Sequence, residues 1–397
     1  MEGKFLPMHP MGIVLPDGTA LRRWQSWEVN SDCQKIPTSS WRATFGPANR
    51  AEVRRIEAML AGNPVVTIEL CGTPQVTGRV QELDSYTSRD QGSILNVAGT
   101  DTMCSAVKAS LDLGFQAHGA QSVRDLIAAA VARWHVQVVG DDSADRQVRM
   151  TRRRTNPGLH CDEGTLDEEG ETVYTTEDLA AEQSDEVETK ESRELHARPG
   201  EKVIAWIRRL LEAHNLCAWV QSDGKLWIGR PNYRQPVAIA LHRAHPREEP
   251  NEGTIIEGGK TSTPGDQLTS VRVVGRVGRG GETRLDASVM DMQAILAGWD
   301  TPVIEEVRDI RSQAQALARA KRTLAESQVA CWRYVAKMAG IGVGPRMPTY
   351  GCMVGIHDDD EGVHRDAFVI KRQVKASRED AVETRLECIL PNLWGVA

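Results

Sequence analysis

This chain predicts a β-rich α+β fold in which two similar strand-rich units, each with one helix, flank a smaller α/β middle region. Three observations carry that expectation. Both ends repeat one pattern: an amphipathic helix, then strands of alternating apolar residues, with a polar loop before the last strand. Between them, a helical apolar stripe leads into an Asp-Gly hairpin. Tryptophan, with 10 residues, outnumbers tyrosine with 5 and phenylalanine with 4, and several of these rings lie in strand-like runs that suit a sandwich or barrel core.

The N-terminal unit spans residues 1–103. Pro16-Asp17-Gly18-Thr19 is a turn signal between Gly12–Leu15 and Leu21–Val29, and Trp41, Ala43 and Phe45 alternate in the next strand. In the helix Ala51–Leu60, Val53, Ile56 and Leu60 share one face while Arg54, Arg55 and Glu57 fall outside it; Gly62-Asn63-Pro64 stops it. Strands follow at Val65–Leu70, Val76–Leu83 and, after the loop Thr87-Ser88-Arg89-Asp90, Ser93–Val97. Five to seven strands with one helix make a small barrel or sandwich.

The middle region spans 104–250. Ser122-Val123-Arg124-Asp125 reads as a capping box ahead of the stripe Val123, Leu126, Ile127, Ala130, Val131 and Trp134. A second helix, Lys202–His214, feeds the hairpin Ala218–Gln221 and Lys225–Ile228 through Ser222-Asp223-Gly224. Between them, about 141–199, the composition changes. The arginines from Arg146 to Arg154 precede a run, Asp162–Glu194, with fourteen acidic and two basic residues. That run holds −12 of a formal net charge of −7, so the rest of the chain is mildly basic, at +5. Few apolar residues lie there to offset ordering entropy, which predicts a flexible insertion whose basic patch is neutralised by its acidic neighbour.

The C-terminal unit spans 251–397. Residues 234–268 read as loops with one strand at Val237–Leu241, and Leu268–Gly275 opens the β-rich part. An arginine-rich helix at about 308–333, most regular from Ser312 to Ser327, precedes strands at Met353–His357, Phe368–Val374 and, after Ser377-Arg378-Glu379-Asp380, Glu383–Leu390.

Motifs suggestive of chemistry dissolve on inspection. Gly259-Lys260-Thr261 ends like a phosphate loop, but Thr254 stands where its first glycine is needed. Gly275-Arg276-Val277-Gly278-Arg279-Gly280-Gly281 has the wrong glycine order for a dinucleotide fingerprint and reads as a hairpin tip. The run His357–His364 is too short and contiguous for a calcium loop and reads as a solvated turn. His160-Cys161 lies in the insertion, without a rigid setting for a nucleophile. No residue is therefore assigned as catalytic, cofactor-binding or metal-binding, and no cofactor is expected. The eight cysteines are scattered without C-x-x-C spacing, which favours buried free thiols. No apolar stretch approaches the roughly 20 residues that span a bilayer, and Met1–Phe5 does not open like a signal peptide. Synthesis in a cytoplasm without membrane insertion is expected.

Four stretches, in this order, resemble the baseplate hub proteins of contractile-tailed phages of the Mu type, which are similar to late-control D-type tail proteins. They are Gly62–Ile68 with Thr77-Gly78-Arg79-Val80; Gly200–Leu210 with Ser222–Pro231; Ile256-Glu257-Gly258-Gly259 leading to Ser270–Arg276; and the helix 308–333 with the closing strands up to Leu390-Pro391. Two places depart from the pattern. Gly99-Thr100-Asp101 stands where Gly-Arg before an acid or serine is common, and Gly344–Pro348 lacks the usual tryptophan. The resemblance implies two tube-type β-barrels per chain and no catalytic residue. It implies a homotrimeric, pseudo-sixfold ring in the virion baseplate, between a hexameric tail tube and a trimeric central spike. Other baseplate proteins and a tape measure protein would be its neighbours, with DNA only in transit. A distal-tail or adaptor ring of another tail type is the alternative, and a tail-associated peptidoglycan hydrolase is a further one.

Deleting 162–194 is expected to leave soluble expression and oligomer size unchanged. Loss of soluble protein would show instead that the insertion is structural.

Overall fold

The computed structural model describes residues 11–48, 50–88, 92–111, 115, 122–145, 200–243, 253–275, 285–307, 310, 313–341, 347–377 and 382–391. The expected loops at 89–90 and 378–380, the glycine-rich tip after Gly275, His160-Cys161 and the charged insertion after Asp145 lie outside them.

The N-terminal unit contains β1 (Met11–Val14), β2 (Ala20–Leu21), β3 (Trp24–Asp32), β4 (Ser39–Ala48), α1 (Arg50–Leu60), β5 (Val65–Leu70), β6 (Thr73–Ser88) and β7 (Gly92–Asp101). The middle carries α2 (Cys104–Lys108), α3 (Val123–Val131), β8 (Val138–Gly140), α4 (Val203–His214), β9 (Cys217–Val220) and β10 (Leu226–Gly229). Then come β11 (Val237–Arg243), β12 (Thr254–Ser262), β13 (Ser270–Gly275), β14 (Leu285–Met290), α5 (Met292–Leu296), β15 (Pro302–Val307) and α6 (Gln313–Cys331). The chain closes with β16 (Trp332–Ala339), β17 (Met353–Asp358), β18 (Val363–Ser377) and β19 (Glu383–Ile389).

One 13-stranded sheet runs through both units, in the order β17-β11-β12-β16-β19-β18-β3-β4-β7-β6-β5-β1-β2. Because β17 also pairs with β18, the first six strands close into a barrel. Its interior is Leu241, Ile255, Tyr334, Ala336, Met338, Val354, Ile356, Val369 and Leu386 with their neighbours. The remaining strands curl around a second core that includes Met11, Trp24, Trp27, Trp41 and Ile68, over which α1 lays Val53, Ile56 and Leu60.

The duplication read from the sequence is present as strand order. In the first unit the order is β1-β5-β6-β7-β4-β3; in the second it is β11-β17-β18-β19-β16-β12. Each contains a three-strand meander flanked by strands that precede it in the chain. The helices, however, enter at different connections. α1 joins β4 to β5 and covers its own barrel core, whereas α6 precedes β16 and packs Ala316, Ala320 and Leu324 on Val271, Val273 and Ala287 of a separate sheet, β14-β13-β15. Leu268–Gly275 therefore feeds this small side sheet and not the barrel. The run 254–262, expected to be loop, is β12, an edge-to-wall strand whose glycines and polar residues mask its periodicity. Gly259-Lys260-Thr261 lies within it, paired with β16, so no phosphate loop forms.

In the middle region, Ser122 caps α3 as the capping box predicts, its Oγ accepting from Asp125 N at 3.1 Å and donating to Asp125 Oδ2 at 2.8 Å. α4 ends where Asn215 adopts φ 53°, and the hairpin β9–β10 joins β8 in a three-stranded sheet. Trp206, Ile207, Leu126, Ile127, Val220 and Ile228 form its core.

Ile370 on β18 is fully buried in a small cluster with Cys33, Trp219, Phe368 and Ile389, where the middle region meets both barrels. Ile370→Ala should lower unfolding stability by about 2–5 kcal/mol in urea titration; a loss under 1 kcal/mol would mean that this contact does not unify the chain.

Candidate functional site

β18 is the structural centre of the molecule. Its first part pairs with β17 from Val363 to Phe368, its second part pairs with β3 from Lys371 to Ser377, and β19 runs along the other edge from Phe368 to Lys375. One strand thus serves as a wall of the closed barrel and as a continuation of the curled first sheet. The sequence explains how. Ala367-Phe368-Val369-Ile370 is a continuous apolar run, all four residues buried, because both faces are covered there. Ala367 and Val369 point into the closed barrel, Phe368 and Ile370 into the cluster beside it. A register shift against β19 between Val369 and Lys371 marks the crossing point, after which the strand alternates and Val374 enters the first barrel's core.

Arg372 follows the same phase and is only 3% exposed. Its Nη1 donates to Pro348 O at 3.0 Å and its Nη2 donates to Gln75 Oε1 on β6. Gln75 in turn donates to Thr73 O at 3.0 Å. These bonds tie the far side of the curled first sheet back to β18, and Ile341 and Met347 from the connection after β16 complete that core. Burial holds the guanidinium pKa down, to about 10, so it stays charged at neutral pH. On the opposite face, Gln373 and Asn30 both donate to Glu28 Oε1 at 2.7 Å, and Lys371 pairs with Glu387 at 2.9 Å.

The middle region is fastened to the first barrel by a second set of polar contacts. Asp101, 1% exposed, accepts from Thr38 N at 2.7 Å, Ser39 N at 2.9 Å and Met103 N at 3.0 Å. Burial raises its pKa to about 6 although the three amide donors pull the other way. Thr38 Oγ1 accepts from Val220 N at 2.8 Å, Thr77 Oγ1 donates to Ser222 O at 2.8 Å, and Thr102 Oγ1 donates to Gly224 O at 2.6 Å. Gly224 has a left-handed φ of 84°, and an added Cβ would lie 2.9 Å from Thr102, so the hairpin tip needs glycine for both conformation and approach. Beside this contact a cleft of about 480 Å³ is lined by Trp219 and Trp227, whose ring centroids are 3.9 Å apart, and by Gln75, Gln221 and Gln235.

The acidic run His357–His364 splits in two. Asp358 is fully buried and accepts from Arg243 Nη2 at 2.9 Å, Arg243 Nε at 3.1 Å and Tyr334 Oη. Burial alone would raise its pKa; the Tyr334 and Arg243 hydrogen bonds outweigh it and hold the carboxyl below the usual range. Asp359 and Asp360 face solvent with side-chain exposures of 93% and 74%. The run is thus a turn with one internal anchor. Among the described residues, no group of three or more His, Cys, Asp and Glu side chains could hold a metal ion. Seven cysteines are free thiols there, with Cys33, Cys104, Cys217, Cys331 and Cys388 buried and Cys71 exposed. No described helix is long and apolar enough to cross a membrane.

The residues that organise this site were only partly signalled. Arg372 occupies an inward position between Ile370 and Val374, a cation in an apolar phase that marks a buried contact. Asp101 stands at one of the departures from the hub pattern. Gln75 and Arg243 give no sequence signal, because their partners are remote in the chain. Exposed apolar side chains concentrate on the side sheet and on α5 beside it in the chain: Ile304 is 70% and Met290 62% exposed on the sheet, and Leu296 82% and Met292 58% on the helix.

This β-rich fold, a closed six-stranded barrel with further strands and few helices, is that of phage-type tail proteins. The chain is similar to the tail protein of Neisseria meningitidis MC58, with TM-score 0.70 and 17% identity over 98% of each chain. It is also similar to the 43 kDa tail protein of prophage MuSo2 from Shewanella oneidensis, with TM-score 0.68 and 11% identity over 97% of this chain and 99% of that one. A third structure, the E. coli c3393 protein, described as a type VI secretion component with structural similarity to T4 tail proteins gp27 and gp5, gives TM-score 0.50 and 10% identity over 95% of this chain and 76% of that one. The chain matches no protein-family model and no curated protein. At these identities the likeness is one of fold.

The raised pKa of Asp101 has a definite sign. The folded state holds this proton more tightly than the unfolded chain, so its contribution falls as pH rises from about 4 through about 6. Asp101→Asn should therefore gain stability relative to the parent between pH 4 and pH 7, by on the order of 2 kcal/mol in denaturant titrations. An unchanged difference across that range would contradict it.

Proposed function

We propose that this protein is a structural baseplate hub of a contractile phage tail, a homotrimer in which three pairs of barrels form a pseudo-sixfold ring. That ring adapts the hexameric tail tube on one side to the trimeric central spike on the other. The observation that carries this reading is the duplicated strand order, fused through β18 and β3 into one continuous sheet. A chain with two like barrels held at fixed orientation offers six similar edges from three copies, and so presents sixfold-like and threefold symmetry in the same ring. A flexible linker between the barrels would not serve, since the angle between them sets whether the ring closes.

The fold shared with tail proteins of Neisseria meningitidis and prophage MuSo2 supports a role in a phage-like tail. The E. coli secretion component, described as structurally similar to the T4 tail proteins gp27 and gp5, adds support for a tail-type role. Charged groups in the interior are engaged in holding strands together: Arg372 binds Gln75 and Pro348, and Asp358 binds Arg243 and Tyr334. These contacts support a structural role for the protein. Its partners are the tube protein, the spike protein, other baseplate proteins and the tape measure protein, with DNA passing through the channel.

Co-expression with the tail tube and spike proteins from the same tail cluster tests the assignment. The tagged protein should retain both partners at once, with three hub chains per spike trimer by light scattering. Retention of the tube protein by a hexamer with no affinity for the spike would favour an adaptor ring and overturn the hub reading.

A further inference from the structure

The internal joint has a counterpart that is left open. In the repeated strand order, β6 corresponds to β18 and β12 corresponds to β3. β18 has β19 along one edge; on its other edge the first part pairs with β17 and the second part, Lys371–Ser377, pairs with β3. β6 is built the same way over its 16 residues. β7 runs along one edge, and on the other Thr73–Arg79 pairs with β5. Beyond Arg79, that second edge has no strand partner among the described residues.

β12 matches this vacancy. β16 runs along one of its edges, while β11 meets the other only at Thr254 and Ile255. The rest of that edge, 256–262, has no strand partner among the described residues, although the Gly258 carbonyl accepts from Arg243 Nη2 at 3.2 Å. Both runs are exposed, and each carries a large outward apolar side chain, Tyr86 at 59% and Ile256 at 49% exposure. Glu82 and Asp84 lie on the first edge, and the second carries Glu257 and Lys260, so that Lys260 is the one group there opposite in sign to the first edge. Unpaired edges of this length are a template for association unless covered.

The two edges cannot meet within one chain. In the closed barrel β12 stands three strands from β18 in either direction, and in the first unit β6 stands three strands from β3. Each open edge therefore lies on the side of its barrel away from the internal joint. We propose that the second half of β6 and the second half of β12 form a sheet joint between two copies of this chain, repeating between chains the β18–β3 pairing made within one. The contact is heterologous, since different surfaces meet, so it builds a head-to-tail assembly and not a two-fold dimer, and that assembly is a ring when the rotation between copies closes. This inference rests on the ring reading and specifies which edges seal it.

Hydrogen exchange measured by mass spectrometry on the full chain, above and below its dissociation concentration, tests the joint. Peptides covering 81–88 and 256–262 should slow together by tenfold or more on assembly, while 371–377 stays slow in both states. Tyr86→Lys and Ile256→Lys should each weaken association by at least tenfold at unchanged Tm, and Leu296→Lys on α5 should not. An assembled ring whose two edge segments exchange as fast as in the monomer overturns the joint and leaves the ring standing. A chain that stays monomeric at every concentration overturns both.

Discussion

A single strand shared by the closed barrel and the curled first sheet is the constraint on which the rest of this structure depends. β18 contributes Val369 to one barrel core, Val374 to the other, and Phe368 and Ile370 to the cluster between them. The backbone ladder is continuous across the joint, with β3 and β19 holding opposite edges of the same stretch. Rotation of one unit against the other would break that ladder, at a net cost of about 0.5–1.5 kcal/mol for each hydrogen bond exchanged for water and more for any group left buried and unpaired. The two barrels therefore behave as one body. The guanidinium of Arg372 adds direction: an apolar residue there would fill the space without selecting Gln75 and the Pro348 carbonyl as its neighbours.

The middle region turns this rigid pair into a tripod. Its hairpin reaches the first barrel through Thr77, Thr102 and Thr38, while the Trp219 and Cys217 side chains pack beside Phe368 of the shared strand. Tyr350 donates to Val220 O from the connection that precedes β17, so the same hairpin is also held from the second unit. The side sheet with α6 is attached more loosely in the chain, inserted between β12 and β16, and its stability rests on Glu305 with Arg319 and Thr323 together with the alanine face of the helix. Its exposed Leu296 and Ile304 lie outside both barrels.

Much of this was legible in the sequence where local pattern and final burial coincide. α1, the capped α3, the Asp-Gly hairpin and the meander strands all alternate or repeat with the period of the element they form. The repeated pattern at the two ends is a real repeat of strand order, although the helices that accompany it in the sequence occupy different connections. β12 was unreadable because Gly258, Gly259, Lys260 and Thr261 carry no alternation; its strand state is imposed by β16. β16 itself follows α6 without a break, so the helical pattern runs into Trp332 and conceals the change of period. The joint between the barrels gave one trace, the arginine in the apolar phase of β18, and no local rule identifies its partner 297 positions away.

A rigid two-barrel chain has a geometric consequence: the fixed angle between its barrels decides how many copies close a ring. Single-particle electron microscopy of the purified protein measures that directly. End-on class averages should show six similar lobes around a channel, related by a true threefold axis with alternate lobes distinguishable. Averages with exact sixfold symmetry, or particles in which the two lobes of one chain vary in relative orientation, would contradict the rigid shared-strand joint as the basis of the ring.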